Sequence, residues 1–168
     1  MVIYFSGTGN SKYIARILAQ QLDDTLCDAA KHIKKEEHPC FDAQKPYVFV
    51  SPVYAWRLPR VFEKWIEKCR FDANAKAYFV LTCGDDIGAA GNYIQKFAAK
   101  KQLCYMGTAQ VIMPENYIVM FSAPQREEDA GIIGKAEQCA QGLGAKILAE
   151  KSFKKRKTPL SGICAAIL

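Results

Sequence analysis

The residues best suited to chemistry lie at the start of the chain. Ser6-Gly7-Thr8-Gly9-Asn10-Ser11 gathers three hydroxyls, a carboxamide and two glycines into six positions. Gly7 and Gly9 permit positive φ and let backbone come close to a ligand. Backbone N–H groups at a helix N-terminus favour an anion, and Ser6, Thr8 and Ser11 add hydroxyl donors. The loop holds no Lys or Arg, and Lys12 follows it. This donor set suits a monophosphate ester better than a triphosphate with magnesium. A P-loop would need G-x-x-x-x-G-K-[S/T], and a dinucleotide fingerprint would need a third glycine where Lys12-Tyr13 stands. The plain alternative is an ordinary strand-to-helix turn with capping residues.

Two later stretches carry complementary chemistry. Pro52-Val53-Tyr54-Ala55-Trp56-Arg57-Leu58 offers two large rings that can stack on a planar heterocycle. Thr82-Cys83-Gly84-Asp85-Asp86-Ile87-Gly88 offers backbone amides, a hydroxyl and two acids. Each side chain also has a structural reading: Trp56 as packing for the following helix, Tyr54 as core, Cys83 as a small buried residue. Cys83 has no nearby base in sequence, since His32 and His38 fall in the polar connection after the second strand.

The elements that must position these loops follow from periodicity. Val2-Ile3-Tyr4-Phe5 reads as a strand running into the first loop. Tyr13, Ile14, Ile17, Leu18 and Leu22 then recur at helical spacing. Thr25-Leu26-Cys27 reads as a short second strand, and the polar residues 29–45 leave room for a turn or two of helix. Tyr47-Val48-Phe49-Val50 is a continuous apolar run, as in a strand buried on both faces. Pro59 suits the first turn of a helix whose apolar face is Val61, Phe62, Trp65, Ile66 and Cys69. Ala77 to Leu81 and Tyr105 to Met113 read as the fourth and fifth strands. They flank a helix with Tyr93, Ile94, Phe97 and Leu103 inward. A last helix spans 131–150. Strands alternating with helices predict an α/β fold with a parallel sheet covered on both faces. In strand order 2-1-3-4-5 the first, third and fourth strands are neighbours, and ligands of such sheets sit at their carboxyl ends. All three loops then meet on one rim. A phosphate site, stacking rings and hydrogen-bonding groups for a ring edge together describe a site for flavin mononucleotide (FMN).

Composition sets the remaining bounds. The 168 residues suffice for one domain with a real core. No signal-like leader is expected, because Gly7 to Ser11 interrupts the first apolar run, and no window of about 18 apolar residues suggests a membrane span. The cysteines at 27, 40, 69, 83, 104, 139 and 164 are scattered and never spaced C-x-x-C. That pattern argues for free thiols in a reducing cytoplasm rather than a disulfide framework, zinc site or iron–sulfur cluster. The net charge of +6 is concentrated at the end: residues 1–150 carry 18 Lys and Arg against 17 Asp and Glu, whereas 151–168 carry five cations and no acid. We therefore divide the chain into a domain at 1–150 and a basic tail at 151–168. The tail reads as a solvated linker capable of weak contact with an anionic surface, with no nucleic-acid partner expected.

Taken together, Tyr4-Phe5-Ser6-Gly7-Thr8-Gly9-Asn10-Ser11, Ser51-Pro52-Val53-Tyr54-Ala55-Trp56, Thr82-Cys83-Gly84 and Met113-Pro114-Glu115-Asn116-Tyr117 resemble the flavodoxin family. The nearest likeness is to the flavodoxin-like domain that precedes a two-cluster ferredoxin module in fusion proteins. The ferredoxin cysteines have no counterpart here. The resemblance implies a three-layer flavodoxin-like sandwich with five parallel strands. It implies that Ser6, Gly7, Thr8, Gly9, Asn10 and Ser11 bind the FMN phosphate. Pro52, Val53, Tyr54, Ala55 and Trp56 would then flank the isoalloxazine on one side, and Thr82, Cys83, Gly84 and Asp85 on the other. Arg57 departs from the small residue expected after the aromatic, and Asp85-Asp86 from a glycine-rich continuation. Acids near the ring should disfavour added negative charge on it and lower its potential. The leading reading is an electron carrier whose partner is a redox protein, a ferredoxin or a reductase. The alternatives are an NAD(P)H-dependent flavin or quinone oxidoreductase on the same fold, and a non-redox module binding another phosphate.

Overall fold

Unbroken apolar runs along the central strands determine the layering, because successive side chains face opposite sides and both sides must be covered. The computed structural model describes residues 1–42, 44–114 and 126–154. Its elements in chain order are β1 (Val2–Tyr4), α1 (Asn10–Gln21), β2 (Leu26–Asp28), α2 (Ala29–Lys34), β3 (Tyr47–Pro52) and α3 (Arg60–Lys68). They continue with β4 (Lys76–Cys83), α4 (Ala90–Lys100), β5 (Cys104–Ile112) and α5 (Arg126–Leu148). The strands form one parallel sheet in the order β2-β1-β3-β4-β5, as expected.

Successive strand residues face opposite sides of the sheet. Val2, Tyr4, Val48, Val50, Tyr78 and Val80 pack with α1 and α5, through Ile14, Leu18, Ala140 and Leu143. Ile3, Phe49, Phe79 and Leu81 pack on the other side with α3 and α4, through Phe62, Ile66, Ile94 and Phe97. Helices thus cover both faces, which explains why the central strands read as unbroken apolar runs.

Three details differ from the sequence reading. Val61, expected on the apolar face of α3, is exposed; Phe62, Trp65 and Ile66 suffice to cover the sheet there. α5 begins at Arg126, a turn or more before the expected start. Packing also runs past residue 150. Met106 is left over where Ala77 pairs with Tyr105 and Tyr78 with Gly107, so β5 bulges. At that bulge the Phe153 N–H donates to the Met106 carbonyl at 2.8 Å, and the Phe153 ring lies 5.0 Å from that of Tyr78. Phe153 is consequently part of the core. Glu115, Asn116, Tyr117 and most of the basic tail lie outside the described residues. Among the described residues, no helix is long and apolar enough to cross a membrane.

Candidate functional site

The first loop, Phe5 to Gly9, leaves the C-terminal end of β1. Ser6 Oγ accepts a hydrogen bond from the Gly9 N–H at 3.0 Å, closing the turn on itself. Gly9 is the N-cap of α1 at φ +110, and no side chain caps the helix. Gly9 has no side chain to cap the first-turn amides of α1, and a helix N-terminus of this kind favours an anion. Gly7, Thr8 and Gly9 are exposed.

The side chains of Asn10 and Ser11 turn away from that mouth. Asn10 Nδ2 donates to the Pro114 carbonyl at 3.0 Å, fastening the loop to the chain beyond β5. Ser11 Oγ lies 2.7 Å from Thr82 Oγ1, and both residues are buried. The Ser11 and Thr82 hydroxyls, read from sequence as donors to a ligand, therefore bind each other and lock α1 to the end of β4.

The second loop is a tight hairpin. Tyr54 N–H donates to the Arg57 carbonyl and Arg57 N–H to the Tyr54 carbonyl, at 3.0 and 3.2 Å. Ala55 and Trp56 both have positive φ, 47° and 57°. This is the two-residue turn that usually selects Asn-Gly. Left-handed Ala and Trp cost roughly 1–2 kcal/mol each, a strain of the kind that collects at functional loops. The turn sends its two rings in different directions. The Tyr54 hydroxyl sits 3.4 Å from where a β-carbon on Gly7 would lie, so this ring leans over the first loop. Trp56 lies on Gly88 so closely that a β-carbon there would be 2.0 Å from its Cδ1. Tyr54 and Trp56 nevertheless remain 52% and 44% exposed.

Arg57 closes the base of the hairpin. Its Nη2 donates to the Tyr93 hydroxyl at 2.8 Å, and its guanidinium carbon lies 4.6 Å from the Tyr93 ring centre. Tyr93 in turn donates to Glu63, whose carboxylate is 3.7 Å from Arg57. Burial pushes the Tyr93 phenol above its ordinary pKa, and Glu63 adds to the shift. The unexpected Arg thus ties the hairpin to α3 and α4 instead of reaching the rim.

The third loop follows β4. The Val53 N–H donates to the Thr82 carbonyl at 3.1 Å, and the Met113 N–H to the Cys83 carbonyl at 2.8 Å. Gly84, Asp85 and Asp86 are exposed, while Cys83 is half-buried. Asp86 Oδ1 accepts from the Gly88 N–H at 2.6 Å, shaping the turn on which Trp56 rests.

All three loops therefore meet on one rim, as expected from strand order. The chemistry assembled there is a helix N-terminus that begins at a glycine, beside two partly exposed aromatic rings and an acidic turn. Sequence reading missed Gly88 as the seat of Trp56. It also missed a cleft of about 390 Å³ on the opposite flank of the first loop, walled in part by Lys12, Lys31 and Lys34. Its only sequence trace was the cluster of lysines in a connection read as plain polar surface.

Comparison with protein families finds a match to the flavodoxin domain over residues 1–126. Among solved structures, a flavodoxin from the domain Archaea superposes with a TM-score of 0.55 at 13% identity, covering 89% of this chain and 98% of its own. A flavoprotein described as putative, from Bacteroides uniformis, gives 0.50 at 16% identity, covering 80% and 96%. At these identities the likeness is one of fold. Comparison with curated proteins finds no match.

Proposed function

This chain belongs to the flavodoxin domain family, and on that premise we propose that it binds FMN at the rim and serves as an electron carrier. The observation that supports this most is the convergence of the three loops: Ser11 bonded to Thr82, Tyr54 leaning on Gly7, and Trp56 seated on Gly88. The residues present fit the group. The exposed Gly7-Thr8-Gly9 turn and the first-turn amides of α1 would hold the phosphate, with Ser6 fixing the turn. Ser11 and Asn10 would act through their backbone N–H groups, since their side chains brace the loop. Pro52 to Trp56 and Thr82 to Asp85 would border the ring system, Tyr54 and Trp56 by stacking. FMN, when bound, supplies transfer of one or two electrons. The protein positions it, shields it, and sets the charge around it through Asp85 and Asp86. A redox protein is the partner this role requires.

The test is a visible absorption spectrum of the purified protein before and after reconstitution with FMN. Stoichiometric yellow protein is expected; a protein that stays colourless with excess FMN overturns the reading. A turnover assay with NADPH and a quinone separates the carrier from an oxidoreductase, and negligible turnover is expected of a carrier.

A further inference from the structure

The first loop has two flanks. One faces the aromatic hairpin. The other faces β2 and α2 across the cleft of about 390 Å³, within the size range of small-molecule sites, about 300–1,000 Å³. Ser6, Gly7 and Gly9 line this cleft, so it opens directly from the turn that would hold a flavin phosphate. Lys12, Lys31 and Lys34 wall it, and none of the three forms an ion pair among the described residues. Its one carboxylate, Asp28, is already engaged: Oδ2 accepts from the Tyr4 hydroxyl at 2.9 Å and Oδ1 from the Ala30 N–H at 3.1 Å. Three cations in a concave site raise the local concentration of an anion.

We propose that this cleft is a second phosphate subsite, and that it takes the adenylate half of flavin adenine dinucleotide (FAD). The geometry follows from the order of the sheet. The rings on the hairpin lie on the β3 side of the first loop, and the lysines lie on the β2 side. A ligand that continues from the loop phosphate away from the flavin ring enters the cleft. A pyrophosphate brings its second anionic group there, and the nucleoside fills the remaining space. The proposal rests on the reading that the first loop holds a flavin phosphate, and it adds FAD to FMN as a ligand of this chain.

Calorimetric titration of the flavin-free protein with FMN and with FAD tests it, using the wild type and the double variant Lys31→Ala/Lys34→Ala. Both lysines are exposed, so the fold should survive, and far-ultraviolet circular dichroism checks this. Loss of two charge-assisted contacts to phosphate should weaken FAD binding by about tenfold in the variant, with FMN changed by less than about twofold. FAD binding should also fall more steeply than FMN binding on adding about 0.3 M salt. If FMN binds and FAD does not, the subsite is overturned and the flavin reading stands. Equal weakening of both flavins would mean that the lysines serve the loop phosphate, which also overturns it. Failure of both flavins to bind the wild type removes the flavin reading along with the subsite.

Discussion

Ser11 Oγ and Thr82 Oγ1 lie 2.7 Å apart, although 71 positions separate them in the chain. The pair joins the first turn of α1 to the end of β4 across β3, so the first and third loops are held at fixed separation. A buried hydroxyl left without its partner costs about 1–3 kcal/mol. Thr82→Val and Ser11→Ala should each destabilise by an amount in that range. The double variant should cost less than the sum of the two, because neither hydroxyl is then orphaned. Urea unfolding of the four proteins measures the coupling. Strict additivity would show that the two hydroxyls do not depend on each other.

The Trp56–Gly88 contact gives a second prediction. Gly88 has φ +50, and a β-carbon there would collide with the indole at 2.0 Å. Gly88→Ala should displace Trp56, destabilise by about 1–3 kcal/mol and change the tryptophan emission. In a Trp56→Ala background the same substitution should cost only the backbone part, roughly 1 kcal/mol. The readouts are thermal unfolding and fluorescence.

The hairpin tip carries strain that glycine would relieve. Ala55 holds φ +47 with its neighbour Trp56 at φ +57. Ala55→Gly should raise stability by about 0.5–1 kcal/mol, the left-handed penalty outweighing the added freedom of the unfolded chain. Denaturant midpoints check this.

Legibility from sequence divides along physical lines. The apolar run Tyr47 to Val50 and the helical spacing of Ile14 and Leu18 report burial directly, because each face repeats at its own period. Strand order then brought Ser6, Tyr54 and Gly84 to a single edge. What stayed hidden depends on contacts between distant positions or on atypical turn chemistry. Ala-Trp carries none of the Asn-Gly signal of the hairpin it forms. The Ser11 hydroxyl looks like any loop donor until Thr82 is found against it. Arg57 read as an anomaly at the rim because its partners, Glu63 and Tyr93, belong to two different helices. Lys31 and Lys34 read only as part of a polar connection, because the loop they face lies about twenty residues earlier.

Alkaline pH supplies a fourth prediction. Burial, aided by the bond to Asp28, pushes the Tyr4 phenol from its ordinary 10.0 up to about 12. Burial likewise raises the Cys27 thiol from 9.0 to about 11 and the Cys69 thiol to about 12. Each group keeps its proton in the folded state after the unfolded chain would lose it. Their stabilising contribution is therefore complete below about pH 9 and declines as pH rises toward 12. Urea midpoints should hold up to about pH 9 and fall steadily from there to pH 11, and Tyr4→Phe should flatten the portion above pH 10. A midpoint constant across that range would contradict the assignment.

The exposed acids of the third loop should act on redox potential. A unit charge about 8 Å away in a water-like medium is worth about 0.5 kcal/mol, or about 20 mV for one electron. Asp85→Asn should raise the potential of bound FMN by about that amount at low salt, and by less at high salt. Spectroelectrochemical titration measures it, and a lowered potential would place the carboxylate's influence elsewhere.

Tryptophan quenching tests flavin binding at the rim most directly. The protein has two tryptophans, Trp56 at the rim and Trp65 buried in α3. Binding of FMN beside the hairpin should quench emission stoichiometrically in the wild type. Trp56→Phe should abolish most of that quenching and leave the emission of Trp65. FMN that does not bind, or that quenches the Trp56→Phe protein as fully as the wild type, would contradict the placement of the flavin between these loops.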